Sequence, residues 1–555
     1  MGSPYGSNYP NLLQDKMIRV VLKTGGMIVV TLPELFELLG KNGVSSYVGL
    51  QSHQEEAFHV FLSQLGTIAL NRNGNQNPVM PTSFWYEALL NIVEPHGLDA
   101  WALVNPDKEK PAFMQPPLRG NLLKRLKPVE KYPDAADFLD VLITAKNHDL
   151  KIGRATSANL DTWMFSLINN QTMNGFSGRD NYGISRMNGG YGNRPIVETV
   201  RSLEPGQRWQ DAVRRLLNYR QELLQKDYGF QDRGKALLWL EPWDGEHALS
   251  LNELDPYYIE ICRAYRLEDE NGRIVALFSP SKSRRINAEQ LKGVVGDPWL
   301  PIERSKKDPQ ALTYSSNGIG ANDLRRILFE DQLSLSPLQQ PDPRWKEEDS
   351  VYLLVSVLVR GQGRTDGYYS RLLPIPRPVR RILFGRREVL RNKRDILAHL
   401  SKTGIEMAGV METKVLRFAI FSYLQAREKD LSFKRDAHNA WWSNHVAETF
   451  RTKWEDHFFD WLWRAADTAP NDEELGNEGK EKLEKLWAEW LRDFALESLR
   501  ESISKLPIAD GRRYKSIVVA ERLFYARLYH EFPQLKKKES KDILPEEVTV
   551  SDPGN

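Results

Sequence analysis

One cysteine, Cys262, stands among the 555 residues, which excludes an internal disulfide framework and suits a reducing compartment. No run of about eighteen apolar residues occurs, so no membrane span is expected. The opening residues, MGSPYGSNYP, carry neither a basic stretch nor an apolar one. No secretory signal is therefore expected, and the chain reads as cytoplasmic. Catalytic signatures are equally scarce. Cys262 has no partner motif for nucleophilic work, and neither H-E-x-x-H nor C-x-x-C spacing is present. His53 and His59 lie six apart and would not share a helix face. His438 and His445, seven apart, could share one, but no carboxylate cluster of metal-ligand spacing accompanies them. The expectation is a chain with no metal, no cofactor and no catalytic residue, and hence no enzyme.

What is present can build large cores. Hydrophobic residues make up 41% and aromatics 10% of a chain this long, which sets two or more domains as the expectation. The net charge of +2 hides a distribution that matters more than the sum. Residues 17–31 read as a β-hairpin, with Val-Val-Leu and Ile-Val-Val flanking Lys23-Thr24-Gly25-Gly26. Helical periods follow near 52–70 and 132–145, and strand-like stretches near 237–242, 257–266 and 274–279. The apolar run Val351 to Val359 fits a buried strand or part of a helix equally. Residues 1–380 thus form a mixed α/β domain with long loops.

After about residue 380 the period becomes helical. Leu416, Ile420, Tyr423 and Leu424 form one stripe; Trp454, Phe458, Trp461 and Leu462 a second. Leu483, Trp487, Trp490 and Leu491 form a third, and Ile517, Ala520, Phe524 and Leu528 a fourth. These predict a four-helix bundle over 381–535 whose aromatics are core rather than ligand platform. An acidic break at Pro470 to Glu478 reads as a solvated loop, and the tail 536–555 as disordered. The fold class is α+β.

The most distinctive segment is Gly175 to Pro195, GFSGRDNYGISRMNGGYGNRP, with six glycines, three arginines and three asparagines. Glycine weakens helix and strand, so the segment reads as a loop rather than a packed core element. It can bring bare backbone N–H groups, with Arg and Asn beside them, against phosphates and base edges. A loop with no ligand fits the composition too. It is not a Walker loop, lacking G-x-x-x-x-G-K-[ST]. Nor is it a dinucleotide fingerprint, since Pro195 stands where the third glycine after Gly190-Tyr191-Gly192 belongs.

Two basic stretches accompany it. Between Val351 and Arg394 eleven Lys/Arg face two acidic residues, and Arg360-Gly-Gln362-Gly-Arg364-Thr365-Asp366-Gly-Tyr368-Tyr369 forms a polar loop there. Ser281-Lys282-Ser283-Arg284-Arg285 stands between a strand-like and a helical stretch. Both suit nucleic acid, and both fit a solvated charged face. A third feature is Thr144 to Lys151, containing Lys146, Asn147 and His148.

The phrases GFSG, YGISRMNGG and NRP resemble the glycine-rich loop of the CasA family, the large subunit of the type I-E CRISPR complex Cascade. Ordered islands elsewhere resemble the same family. They are Asn11-Leu12-Leu13-Gln14-Asp15, Leu32 to Phe36, Phe113-Met114-Gln115, Leu238-Trp239 to Trp243 and Asp297-Pro298-Trp299. The resemblance spans most of 11–530. It implies a non-catalytic subunit that recognises the protospacer-adjacent motif (PAM) of target double-stranded DNA from the minor groove. It implies docking at the crRNA 5′-handle end beside the handle-binding and backbone subunits, bundle contact with the small subunits, and recruitment of a helicase-nuclease. On this reading Lys282, Arg284 and Arg285 form the groove-probing finger. Gly175, Phe176, Ser177, Gly178, Arg179 and Asn181 lie against the duplex. Lys146, Asn147 and His148 belong to the first loop. The wedge that starts strand separation is Gln362 or the turn of Arg364, Thr365, Asp366 and Tyr368, because the family's usual Asn-Gln tip is not evident here. A cysteine-rich insertion found in some members is missing after Trp239, so zinc is not implied. Two rival readings are a nucleic-acid hydrolase and an RNA-binding scaffold that never touches DNA.

Overall fold

The computed structural model describes residues 9–129, 133–140, 159–189, 192–305, 307–346, 348–361, 364–385, 388–467, 477–506 and 510–536. The expected first-loop residues Lys146, Asn147 and His148, the candidate Gln362, most of the acidic break and nearly all of the tail lie outside these. The chain divides into two compact units, Met1–Phe384 and Gly385–Asn555.

The first unit opens with the expected hairpin, β1 (Ile18–Leu22) against β2 (Met27–Val30), with β3 (Val44–Tyr47) on the other side of β1. Thr31 and Glu34 form a capping box that starts α1 (Leu32–Gly40) directly after β2. Helix α2 (Ser52–Arg72) runs through the core and is buried nearly all round, although about half of its residues are polar. That is sustainable because its buried charged groups are paired. His53 Nε2 meets Asp140 at 2.7 Å, and Glu56 holds the guanidinium of Arg208. His59 faces Glu198 at 3.3 Å. The two histidines leave the helix towards different partners. Packed on α2 are a helix at Leu160–Met173 and one at Pro205–Gln225, the latter delivering Trp209 into a cluster with Phe36 and Trp85.

The ambiguous run at Val351 is a strand. Val351–Gly361 pairs antiparallel with Arg364–Ile375 as a long hairpin, and on its other edge with Ile196–Val200. Its partners are a neighbour across the turn and a strand more than 150 residues away along the chain. The stretch 257–266 is two strands, Leu254–Ile259 and Ala264–Glu270, broken by the buried residues Glu260 to Arg263. The expected helix at 132–145 shows, in its described part, only a short turn at Ala136–Phe138. Strand Arg273–Ser279 pairs with Ala264–Glu270 on one side and with Lys127–Pro128 on the other. The helical stretch expected after Arg285 is a single turn, Glu289–Leu291.

In the second unit the described residues form four long helical segments. Glu388–Val410 continues through a π-helical turn, Met411–Leu416, into Arg417–Gln425. Asp436–Trp441 likewise leads through Trp442–Ala447 into Glu448–Asp467, followed by Asn477–Lys505 and Asp510–Glu531. Trp461 and Trp487 stack at 4.8 Å in the middle. Their indoles donate to Leu483 O and Gly404 O at 2.8 and 2.9 Å. Gly404 is needed there: an added Cβ would sit 2.5 Å from the Trp461 ring. No described helix is long and apolar enough to cross a membrane.

Candidate nucleic-acid interface

The glycine-rich segment leaves the helix Leu160–Met173 and makes a tight turn. Ser177 N–H donates to Asn181 O at 2.9 Å, and Asn181 N–H to Gly178 O at 3.0 Å. The turn needs left-handed backbone at Gly178 (φ +113°) and Asp180 (φ +63°), which glycine and aspartate tolerate best. Arg263 fixes its base, donating from Nη2 to Gly175 O at 2.7 Å and to Ser177 Oγ at 3.4 Å. Phe176 tilts against Tyr182. Arg179 stands exposed at the apex, its guanidinium in no ion pair or side-chain hydrogen bond among the described residues.

The rest of the segment is not the open loop its glycines suggest. Gly183 lies so close to Gly175 that a Cβ would fall 2.7 Å from the Gly175 Cα. Ile184 and Met187 are buried, and so are two of the three arginines. Arg194 Nε donates to Asp297 at 2.7 Å, and Arg186 approaches the same carboxylate at 3.8 Å while lying 3.7 Å over the ring of Tyr258. Burial would raise the Asp297 pKa, but the charges of Arg194 and Arg186 hold it below the ordinary carboxylate value. This half is a folded anchor.

The basic finger follows strand Arg273–Ser279 and meets the turn directly. Ser281 N–H donates to Asp180 O at 3.0 Å. Arg284 lies 5.4 Å over the ring of Tyr182, a second bridge between the two loops. Lys282 and Ser283 both donate their N–H groups to Gly245 O at 3.0 Å, tying the finger to a third loop. That loop supplies anions. Glu246 pairs with Lys282 at 3.2 Å, and the pair is largely exposed. Arg284 pairs with Glu289 at 2.8 Å.

Arg285 does something else. It is buried, donates to Glu241 O at 2.7 Å and Pro242 O at 3.1 Å, and lies 5.2 Å over the ring of Trp243. Desolvation pulls its pKa down to about 10. Its expected place on the groove-facing surface is corrected: Arg285 is buried, whereas Arg284 keeps part of its side chain exposed beside Glu289.

The long hairpin brings Arg364 opposite Gly361 and Thr365 opposite Arg360, and a register shift follows Val359. Asp366 falls at that shift, between Thr365 and Gly367. Tyr368 is no tip residue. Its hydroxyl interacts with Ser356 and Ser370, and burial pushes its pKa up to about 12. The structure thus unites Gly175 to Asn181 with Ser281 to Arg284 and gives no described contact between them and the hairpin end.

Sequence reasoning missed Arg263, the loop at Asp244 to His247, and a row of Lys127, Phe278 and Tyr265 across three paired strands. The aromatics in two neighbouring strand-like stretches were the available signal. Among the described residues no group of His, Cys, Asp or Glu could hold a metal ion.

Solved structures share the fold of this chain. Thermus thermophilus CasA (Cse1) aligns over 94% of this chain and 100% of its own, with TM-score 0.59 and 15% identity. Cse1 from Acidimicrobium ferrooxidans aligns over 95% and 99%, with TM-score 0.60 and 14% identity. A chain of a CRISPR RNA-guided surveillance complex aligns over 94% and 100%, with TM-score 0.55 and 13% identity. No family model and no curated protein matches the chain. The chain has the fold of Cse1 (CasA).

Proposed function

We propose that this chain is the non-catalytic large subunit of a Cascade-type RNA-guided complex and contacts target double-stranded DNA beside the guide-paired region. One observation carries the reading: on a Cse1 fold, the glycine turn and the basic finger are joined through Ser281 N–H and Asp180 O into a single ridge. Arg179, Lys282 and Arg284 line that ridge. The anionic partners of Lys282 and Arg284, Glu246 and Glu289, are exposed, so exchanging them for phosphates costs little. Bare backbone and short side chains let the ridge enter a narrow groove, where A·T and T·A pairs present nearly the same acceptors. Tolerance of several flanking motifs follows.

Base pairing with the guide would read sequence while this ridge reads the flanking duplex, a division of labour known for other guided effectors. The hairpin end at Gln362 to Thr365 is the candidate wedge, and Lys146 to His148 the candidate contact to the crRNA 5′ handle. The small subunits and a helicase-nuclease are the further partners proposed.

The test assembles the full chain with its guide-bearing subunits and selects from target duplexes of randomised flanking sequence. Enrichment of a short motif, lost in the triple variant R179A/K282A/R284A, is expected. An unbiased flank would favour the scaffold reading. Mg²⁺-dependent turnover of labelled DNA by the purified chain would overturn the non-catalytic one.

A further inference from the structure

Beside the glycine turn lies a cavity of about 470 Å³ that none of the finger residues Ser281 to Arg285 lines. Its floor is a sheet face. Lys127, Phe278 and Tyr265 stand in register on the three strands Lys127–Pro128, Arg273–Ser279 and Ala264–Glu270, so their side chains share one row. The Phe278 and Tyr265 rings are 5.1 Å apart and only half buried, although the residues between and behind them in these strands are mostly core. Arg179, Asp180 and Asn181 of the glycine turn form the opposite wall.

We propose that this cavity receives a single unpaired nucleotide; the proposal rests on reading the chain as a nucleic-acid binder. The chemistry is that of sheet surfaces that hold single strands, where aromatic rings stack on a base and flanking cations take its phosphates. Phe278 and Tyr265 offer the ring faces. Lys127 at one end and Arg179 at the other are placed for the phosphates on either side. The Asp180 carboxylate can accept from an exocyclic amino group, which favours adenine, cytosine or guanine over thymine and uracil. The volume lies in the range of small-molecule sites and exceeds what a lone phosphate or ion needs. Because Asp180 also receives the finger's N–H through its backbone, filling the cavity and seating the ridge on a duplex engage the same turn. The nucleotide would thus come from the junction where a duplex opens, either from a DNA strand or from the RNA guide.

The experiment uses the full chain and short duplexes carrying one unpaired 2-aminopurine, in a DNA strand in one arm and in an RNA strand in the other. A fully paired DNA duplex is the reference. Expected are quenching of the 2-aminopurine on binding and about tenfold tighter binding than the paired duplex in one arm, which names the source. Y265L/F278L should abolish both the quenching and the preference while leaving paired-duplex affinity unchanged. R179A, at an exposed position that cannot unfold the chain, should reduce the preference severalfold. Equal affinity for paired and unpaired duplexes, or a preference that survives both variants, overturns the proposal alone. Failure to bind any of the duplexes overturns the functional reading beneath it.

Discussion

The two halves of the glycine-rich segment use the same residue types for opposite ends. From Gly175 to Asn181 the turn keeps Arg179 exposed and out of any ion pair among the described residues. From Gly183 to Arg194 the chain folds inward and spends both remaining arginines on one buried carboxylate, Asp297. The basic finger repeats the contrast between neighbours, with Lys282 exposed, Arg284 partly covered and Arg285 buried against Trp243. An arginine's role is set by what lies opposite it, and that partner is over a hundred positions away for Arg194. Local composition cannot supply it.

The contrast breaks first at Asp297. Removing its charge strands two guanidiniums in the interior, and breaking a buried ion pair from one side costs about 3–5 kcal/mol. D297N should therefore lower stability by that amount in denaturant unfolding, whereas R179A should move it by less than about 0.5 kcal/mol. Equal effects would mean that the inward half is not the anchor described.

A second buried network sharpens the same point through pH. Burial would raise the Glu198 pKa, but Arg208 and then His59 bring it down from 4.5 to about 2. A carboxylate whose folded pKa is depressed contributes fully above its unfolded pKa and loses that contribution as pH falls towards the folded one. The loss, about 3 kcal/mol, should accumulate between about pH 4.5 and 2. E198Q should be less stable at neutral pH and show a flatter acid limb over that window. An unchanged acid limb would remove Glu198 from the network's account.

Much of the scaffold was legible because its signals are local. The hairpin at 17–31 follows from Gly25-Gly26 between β-branched runs, and each of the four helical stripes contains residues that are buried together. Where the reading was undecided or wrong, the partners include remote ones. Val351 to Val359 is strand between Arg364–Ile375 and Ile196–Val200, and 257–266 is interrupted at Arg263, which holds Gly175 and Ser177. At the site, residue type identified Arg179 and Lys282 as candidates. It could not separate Arg284 from Arg285, which share a sequence context and differ in their partners, Glu289 and Tyr182 for one and the Glu241 and Pro242 carbonyls for the other.

The two exposed members of the comparison should act on binding alone. R179A/K282A is expected to leave thermal unfolding nearly unchanged, to weaken duplex binding, and to lower the slope of log affinity against log salt by about two. R285A should do the reverse, with stability lost because its carbonyl partners and the face of Trp243 are left uncovered. A large loss of duplex affinity in R285A with no loss of stability would return that residue to the surface.

The smallest effect tests whether the finger is held in reserve by its own anion. Lys282 pairs with Glu246, and Glu246 also accepts from Asn121, so the carboxylate is fixed beside the cation it would share with a phosphate. The pair and the hydrogen bond from Asn121 lower the Glu246 pKa, so the competing charge is present throughout neutral pH. Neutralising it in E246Q keeps the shape and the Asn121 contact while freeing Lys282, and a rim charge of this kind acts mainly on association rate and salt dependence. The expected result is duplex binding tightened by about threefold at low salt, shrinking as ionic strength screens the exposed site. In the K282A background the same substitution should have a smaller effect, because the cation it would release is gone. Tightening of equal size in both backgrounds would show that Glu246 acts by bulk charge and not by restraining the finger.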